Sequence, residues 1–464
     1  MTLPFSLPFS LEQESFFGPH PVAAPNIGLH HRLTGPLDAA ALSAAASALL
    51  ARHEGLRFRA DPARPAAGQR IAAPEDIRLD PVQVPQERVW DCLERDLQAP
   101  LDLTGEGPIR FRLYRTGADA HDIAITVHPA ALDAWGAGLV AHELWALYRG
   151  LLSGSGADLP GLPLTFSAHV RAQHAAGPVL DGPRLDRHLA QLTGLRLAPL
   201  PWTPRPAASG AAGPGPMFSR ETFWLDPGTL AGIRAAAREL AVTSAASFLA
   251  GFELALAIAA GSEAGALSCI YVGRDTAGTQ PMAAAMARRV PIRFSCTPGT
   301  PLGDFVRHAM IDWASAIAHS GPPYSAARLV QAAGGPLDVI EPVFNLRVPQ
   351  QMGPNGGQAL ASEAPGASEA SGASWPRVEW PDGPRPRPVP MWPQFGRAAL
   401  FALVTLGSHP AVTAVYDPQT IPEQAVQAVF GAYEHVIRVL SGDPGRLTVG
   451  ELAAAVMTAG GQVP

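Results

Sequence analysis

The sequence predicts a mixed α/β (α+β) protein in two lobes, on three observations. Apolar residues alternate over short runs and recur every three to four positions over longer ones, in both halves of the chain. The 464 residues are 47% apolar, more core than one domain usually needs. A Pro/Gly/Ala-rich stretch at 204–216 interrupts the pattern as a linker does.

The elements follow in order. Residues 26–34 read as a strand with Ile27, Leu29, His31 and Leu33 on one face, so that His30 and His31 point to opposite sides. Asp38 can cap a helix over 39–53 whose stripe is Leu42, Ala45, Ala46, Leu49 and Leu50. Strand 109–116 turns through Gly117-Ala118-Asp119 into strand 122–128, and a long helix runs over 133–149. Beyond a short helix near 184–192, strands are expected at 218–225, 267–272, 290–294, 341–348, 398–406 and 411–416. Helices are expected at 227–240, 243–260, 301–319 and 422–440. The predicted division is an N-terminal lobe over 1–175, a linker over 176–216, and a C-terminal lobe over 217–464. That second lobe carries a low-complexity insertion at 351–393, with Trp375, Trp380 and Trp392 as possible anchors.

Composition excludes whole classes of function. The net charge of −6 and 16% charged residues argue against nucleic acid as a partner. All 34 basic residues are arginine, which removes lysine Schiff bases and the phosphate-loop lysine. Three cysteines, Cys92, Cys269 and Cys296, without zinc-like spacing read as structural thiols of a reducing compartment. The start lacks a basic leader region, and the most apolar stretch, 241–261, carries Glu253 and is expected to be a core helix rather than a membrane span. A cytoplasmic monomer without membrane contact, metal or resident cofactor is the expectation. His53-Glu54 and His142-Glu143 begin His-Glu-x-x-His patterns, but Arg57 and Ala146 stand where the second histidine belongs.

The informative segment is Val127-His128-Pro129-Ala130-Ala131-Leu132-Asp133-Ala134-Trp135-Gly136, where a strand ends and a helix begins. It resembles the His-His-x-x-x-Asp-Gly motif of nonribosomal peptide synthetase condensation domains, and Glu143-Leu144-Trp145-Ala146-Leu147-Tyr148 matches that family's Glu-Leu-x-x-Leu-Tyr. Three further segments are similar to family motifs: Ser10 to Gln13, Arg52-His53-Glu54-Gly55-Leu56-Arg57, and His319 to Val330. Tyr416-Asp417 and helix 422–440 are similar to the family's last strand and helix. The resemblance implies two acetyltransferase-like lobes in a V-shaped pseudo-dimer with a central tunnel, the motif near its middle. It implies acyl or peptidyl carrier proteins as partners, with phosphopantetheine arriving on the carrier, and a tailoring enzyme as a further partner.

The motif is altered. His128 takes the first histidine and Asp133 the aspartate, but Pro129 stands for the second histidine and Ala134 for the glycine. Proline has no ionisable group and cannot act as a general base. In the family the aspartate pairs with an arginine of the second lobe; Arg274, Arg288, Arg289 and Arg293 are the choices here. His128 and Asp133 are the catalytic candidates, with Asp133 expected to be structural and His128 either a loop residue or a substrate contact; Trp135 and Asn345 are either packing or tunnel residues. The expected function is a free-standing condensation-like protein with a degenerate site, which binds carrier-tethered intermediates or recruits another enzyme. The alternative is an amide- or ester-forming acyltransferase that works without the second histidine, by proximity.

Overall fold

The computed structural model describes residues 7–17, 26–61, 68–175, 219–319, 341–347, 377–379, 399–406, 410–416, 418, 421–442 and 444–459. The chain forms two units. Unit 1 comprises Met1–Gly177, Val272–Ala287 and Pro349–Gln394; unit 2 comprises the remainder.

Unit 1 is built on a five-stranded sheet. Its elements are α1 (Glu14–Phe17), β1 (Ile27–Thr34), α2 (Ala39–Arg52), β2 (Phe58–Ala60), β3 (Gln69–Ile71), β4 (Val82–Gln83), α3 (Val89–Gln98), β5 (Ile109–Gly117), β6 (Ala120–Val127), α4 (Ala134–Ser153) and α5 (Phe166–Ala175). A later strand, β11 (Arg377–Glu379), pairs with β1, giving the order β11-β1-β6-β5-β4. β1 and β5 both lie antiparallel to β6, with Ile27 and Ile109 opposite Val127. Alternation then sends Leu33, Ile123, Ile125 and Val127 to one face, where they meet Leu42, Leu49, Val140 and Leu144 of α2 and α4. On the other face Tyr114 and Ala124 pack against Val89 and Leu93 of α3.

The helices start where their caps put them. Asp38 accepts from Ala41 N–H ahead of α2, and the buried stripe of that helix is the one the sequence spacing predicts. Helix α4 begins at the Asp133 cap and ends at Gly154, whose φ of 68° suits glycine.

Unit 2 holds a six-stranded sheet in the order β7 (Ser219–Trp224), β13 (Ala411–Tyr416), β12 (Ala399–Thr405), β10 (Glu341–Arg347), β8 (Ala264–Tyr271) and β9 (Arg288–Ser295). β10 is parallel to both neighbours and the other pairings are antiparallel. Helices α6 (Pro227–Glu239), α7 (Ser244–Ala260), α8 (Leu302–His319), α9 (Glu423–Leu440) and α10 (Val449–Ala459) complete it. α7 is buried without a break from Ala246 to Ala257, which explains its apolar composition without a membrane. Among the described residues no single helix is long and apolar enough to cross one.

Three differences from the sequence reading stand out. Residues 272–287, placed in the C-terminal lobe by a contiguous division, belong to unit 1, where their backbone is bonded to the helix caps His53 and Asp133. Helix α3 is absent from the expected elements, although Val89, Leu93 and Leu97 carry its spacing. Helix α10 lies beyond the expected closing helix; its alanine-rich stretch shows only Val449, Leu452 and Val456 as core residues. The linker 176–216, nearly all of the insertion 351–393 with its three tryptophans, and residues 320–330 of the histidine–proline motif lie outside the described residues.

Candidate functional site

The loop from His128 to Asp133 joins β6 to α4. His128 N–H donates to Pro108 C=O at 2.7 Å and Ala131 N–H to His128 C=O at 2.8 Å, which makes the exit from the strand a tight turn. Asp133 is the N-cap of α4, and its carboxylate is saturated. Oδ1 accepts from Gly136 N–H at 2.7 Å and from Arg274 Nη2 at 3.0 Å. Oδ2 accepts from Met286 N–H and Ala287 N–H, both at 2.9 Å.

Arg274 is therefore the partner that the sequence left open among four arginines. The same Nη2 donates to Met282 C=O and Ala284 C=O. Arg288, Arg289 and Arg293 lie on β9 of unit 2 instead. The pair is buried, its side chains 1% and 2% exposed. Burial pulls the Arg274 guanidinium below its usual range, against the opposing fields of Asp133 and Glu12. A buried pair of this kind specifies geometry more than it adds stability. It holds the segment 282–287 against the first turn of α4. Gly136 suits that close approach: a Cβ would lie 2.6 Å from Leu132 Cδ1, which would have to shift, and 3.3 Å from Ala284 C=O. Gly273 adopts φ 68°, and a Cβ on it would lie 2.1 Å from Met286 C=O. Ala134, at the altered glycine position, is the first residue of α4 and needs no unusual backbone.

At the other end of the loop, Pro129 is buried and His128 is half-buried. His128 Nδ1 accepts from Ala130 N–H at 3.1 Å, so its proton sits on Nε2. Phe16 meets the ring edge-on at 5.7 Å between centroids, and Phe17 lies tilted at 6.5 Å. Burial lowers the His128 pKa from 6.5 to about 4. The imidazole is thus neutral at pH 7 with its lone pair already engaged.

Three other motifs, which the sequence supplied only as points of resemblance, find structural roles in unit 1. Glu143 of α4 accepts from Arg52 Nε at 2.9 Å and from His53 Nε2 at 2.7 Å. His53 Nδ1 in turn accepts from Ala283 N–H at 3.3 Å. Although burial pushes the Glu143 carboxyl up, His53 and Arg52 outweigh it and hold it below the usual range. Glu54 accepts from Ser167 N–H at the start of α5. Gly55 lets the 283–284 backbone approach, since a Cβ would lie 2.8 Å from Ala283 C=O. Ser10 and Gln13 bond reciprocally, Ser10 N–H to Gln13 Oε1 and Gln13 N–H to Ser10 Oγ.

The remaining sequence candidates are dispersed. Trp135 is half-buried; its Nε1–H donates to Gln280 C=O at 3.0 Å and its ring lies 5.9 Å from the Arg274 guanidinium. Asn345 is on β10 of unit 2, opposite Leu403, rather than in the unit that carries the motif loop. His30 and His31 do face opposite ways. His31 accepts from Trp145 Nε1–H at 2.7 Å and is lowered to about 3 by burial and by His30. His30 Nε2 bonds Asp122 at 2.6 Å. Cys269 and Cys296 are buried and Cys92 partly so, all free. Among the described residues no three His, Cys, Asp or Glu side chains converge as metal ligands would.

Comparison with known proteins fits this geometry. The condensation-domain family model matches residues 24–371. A non-canonical nonribosomal peptide synthetase, CymA of Salinispora arenicola, is 33% identical over 260 residues, which is 54% of this chain and 3% of the synthetase. The phosphinothricin tripeptide synthetase PhsC of Streptomyces viridochromogenes is 27% identical over 327 residues, 66% of this chain and 29% of that protein. The chain thus spans a small part of the length of these relatives. In structure it is similar to the X-domain from teicoplanin biosynthesis, with a TM-score of 0.74, 19% identity, and coverage of 97% of this chain and 98% of that one. The first condensation domain of the calcium-dependent antibiotic synthetase gives a TM-score of 0.71, at 19% identity over 97% of this chain and 99% of that one. At such identity the structures show a shared fold. With the family model running across the altered motif and both lobes' elements matching the same architecture, the chain belongs to the condensation-domain family.

Proposed function

We propose that this chain is a condensation-fold protein of nonribosomal peptide or polyketide biosynthesis that binds carrier-tethered intermediates or recruits another enzyme, without forming amide bonds by the family's histidine route. The observation that carries this reading is the state of the motif loop. Its second histidine position is Pro129, which has no proton to move, and His128 cannot stand in for it. Its Nδ1 lone pair is bonded to Ala130 N–H, its Nε2 bears the proton, and burial has weakened it as a base. The scaffold beneath is intact, with every acceptor site used at Asp133 bonded to Gly136, Arg274, Met286 or Ala287. A retained scaffold without a proton acceptor suits recognition better than turnover.

The recruiting form of this reading draws support from the teicoplanin X-domain, which shares the fold and has been solved as a complex with OxyB. The test uses purified protein with acyl- and peptidyl-loaded carrier proteins. Saturable carrier binding with no amide or ester product over the uncatalysed background is the expected result. Product formation by the unmodified chain would establish the proximity-driven acyltransferase instead.

A further inference from the structure

The residues that cover His128 are set by a clamp elsewhere in unit 1. Helix α1 is a single turn, too short to hold itself in water. Its start is fixed by the reciprocal bonds between Ser10 and Gln13, and Glu14 N–H donates to Ser10 C=O. Gln13 is fully buried and forms an amide pair with Gln69. Gln69 Nε2 donates to Gln13 Oε1 at 2.7 Å, and Gln13 Nε2 donates to Gln69 Oε1 at 3.3 Å. Gln69 Nε2 also donates to Pro8 C=O, and Leu7 pairs with Gln69 through both backbone groups. The turn held in this way presents Phe16 and Phe17. Phe17 is backed by Phe9, stacked at 4.0 Å, and by Phe58, edge-on at 6.0 Å.

We propose that Gln13 is a positioning residue of the motif loop: through the turn it clamps, it lays Phe16 and Phe17 across the His128 imidazole and closes that face of the loop. This gives the Ser-x-x-Gln segment a task, which is to keep the motif histidine dry, neutral and bonded to its own loop. The inference rests on the reading that residues 128–133 are the functional site, but not on whether that site turns over. The charged groups on neighbouring elements are otherwise engaged or lie off the ring. Asp133 is saturated within its own cluster, Arg110 of β5 bonds Pro100 C=O and Glu106, and Glu14 stands one turn back on α1. Burial is the cause of the lowered His128 pKa, so uncovering the ring should be visible in its titration.

The experiment is an NMR titration of the full chain labelled at the histidine ring carbons. In the unmodified protein His128 should titrate at about 4 and His31 at about 3. Gln13→Met removes the clamp while keeping the shape, and Phe16→Ala/Phe17→Ala removes the cover while leaving the clamp. Each should raise the His128 midpoint towards the ordinary value near 6.5 by about one unit, a tenfold gain in proton affinity, while His31 stays where it was. If Gln13→Met does not fold, the double phenylalanine variant carries the test. An unmoved His128 in a folded variant would overturn the proposal, as would a parallel shift of His31, which would mean general loosening. Substrate turnover does not enter the readout, so a failure of the functional reading would be seen separately, as product from the unmodified chain.

Discussion

The two units bury their polar groups differently. Of the nineteen buried polar or charged residues among the described ones, sixteen lie in unit 1 and three in unit 2. In unit 1 they form partnered networks: Asp133 with Arg274, Glu143 with Arg52 and His53, Asp122 with His30 and Arg32, and Gln13 with Gln69. In unit 2 the core is close to purely apolar. Among the described residues its one buried carboxyl is Glu253 on α7; Glu253 Oε1 has no hydrogen-bond partner, as is true of Glu143 Oε1 in unit 1, but Glu143 is paired with Arg52 and His53 through Oε2. Apolar layers suffice to make a stable sheet-and-helix lobe, whereas buried polar networks fix individual loops at a cost in desolvation. The unit that spends desolvation energy is the one that carries the motif.

Breaking the largest network should do the most damage. Asp133→Ala leaves Arg274 buried without its counter-charge and strips the cap from α4, and a loss of about 3–5 kcal/mol in denaturant unfolding is expected. A loss below about 1 kcal/mol would show the Asp133 cluster to be dispensable.

Glu143→Gln is the next test, with an expected loss of roughly 1.5–3 kcal/mol at pH 7, the range for a hydrogen bond to a charged group. The loss should depend on pH. Because the folded state holds the Glu143 carboxyl below 4.5, the group's contribution is present above that pH and disappears as pH falls through the folded-state value. Stability curves of the two proteins should therefore converge at acid pH; parallel curves would mean that the charge is irrelevant.

Glu253 predicts the reverse sign. Burial first, and Asp312 second, raise its carboxyl well above 4.5, so that between 4.5 and the raised value the folded protein holds a proton there that the unfolded chain has lost. Stability is then lost as pH rises above 4.5, and Glu253→Met should stabilise unit 2, by about 1–3 kcal/mol at pH 7 and less at pH 4. A destabilising Glu253→Met would reveal a partner for this carboxyl.

Trp135→Phe should have the smallest effect. It keeps the ring beside Arg274 but loses the bond to Gln280 C=O, costing about 0.5–1.5 kcal/mol. Hydrogen exchange at residues 276–282 would report it as local loosening.

Much of the fold was legible because its elements are periodic and capped. The stripe of α2, the Asp133 start of α4 and the alternation along β1 could be read directly from residue order. Helix α3 carries its signal only in the four-residue spacing of Val89, Leu93 and Leu97 among charged neighbours, whereas α10 offers few core residues against its alanines. The site was legible only in part. That Pro129 cannot replace a histidine follows from proline chemistry alone. The choice of Arg274 does not, because it depends on a turn over 276–282 that returns 282–287 to α4, a contact between residues some 140 positions apart. The aromatic cover over His128 was likewise invisible, since Phe16 and Phe17 read as ordinary apolar residues and nothing in their spacing points to residue 128.

The most direct test of the central claim, that the altered loop recognises rather than condenses, is to restore the missing histidine. Pro129→His is compared with the unmodified chain using carrier-bound acyl donors and simple amines, with carrier binding followed in parallel. A general base in working order would raise amide formation by about 10²–10⁴-fold. The account predicts carrier binding by both proteins and amide formation by neither, because the covered, self-bonded loop around His128 is not arranged for proton transfer. Amide formation by Pro129→His alone would show the site to be one substitution from activity, and amide formation by the unmodified chain would contradict the account outright.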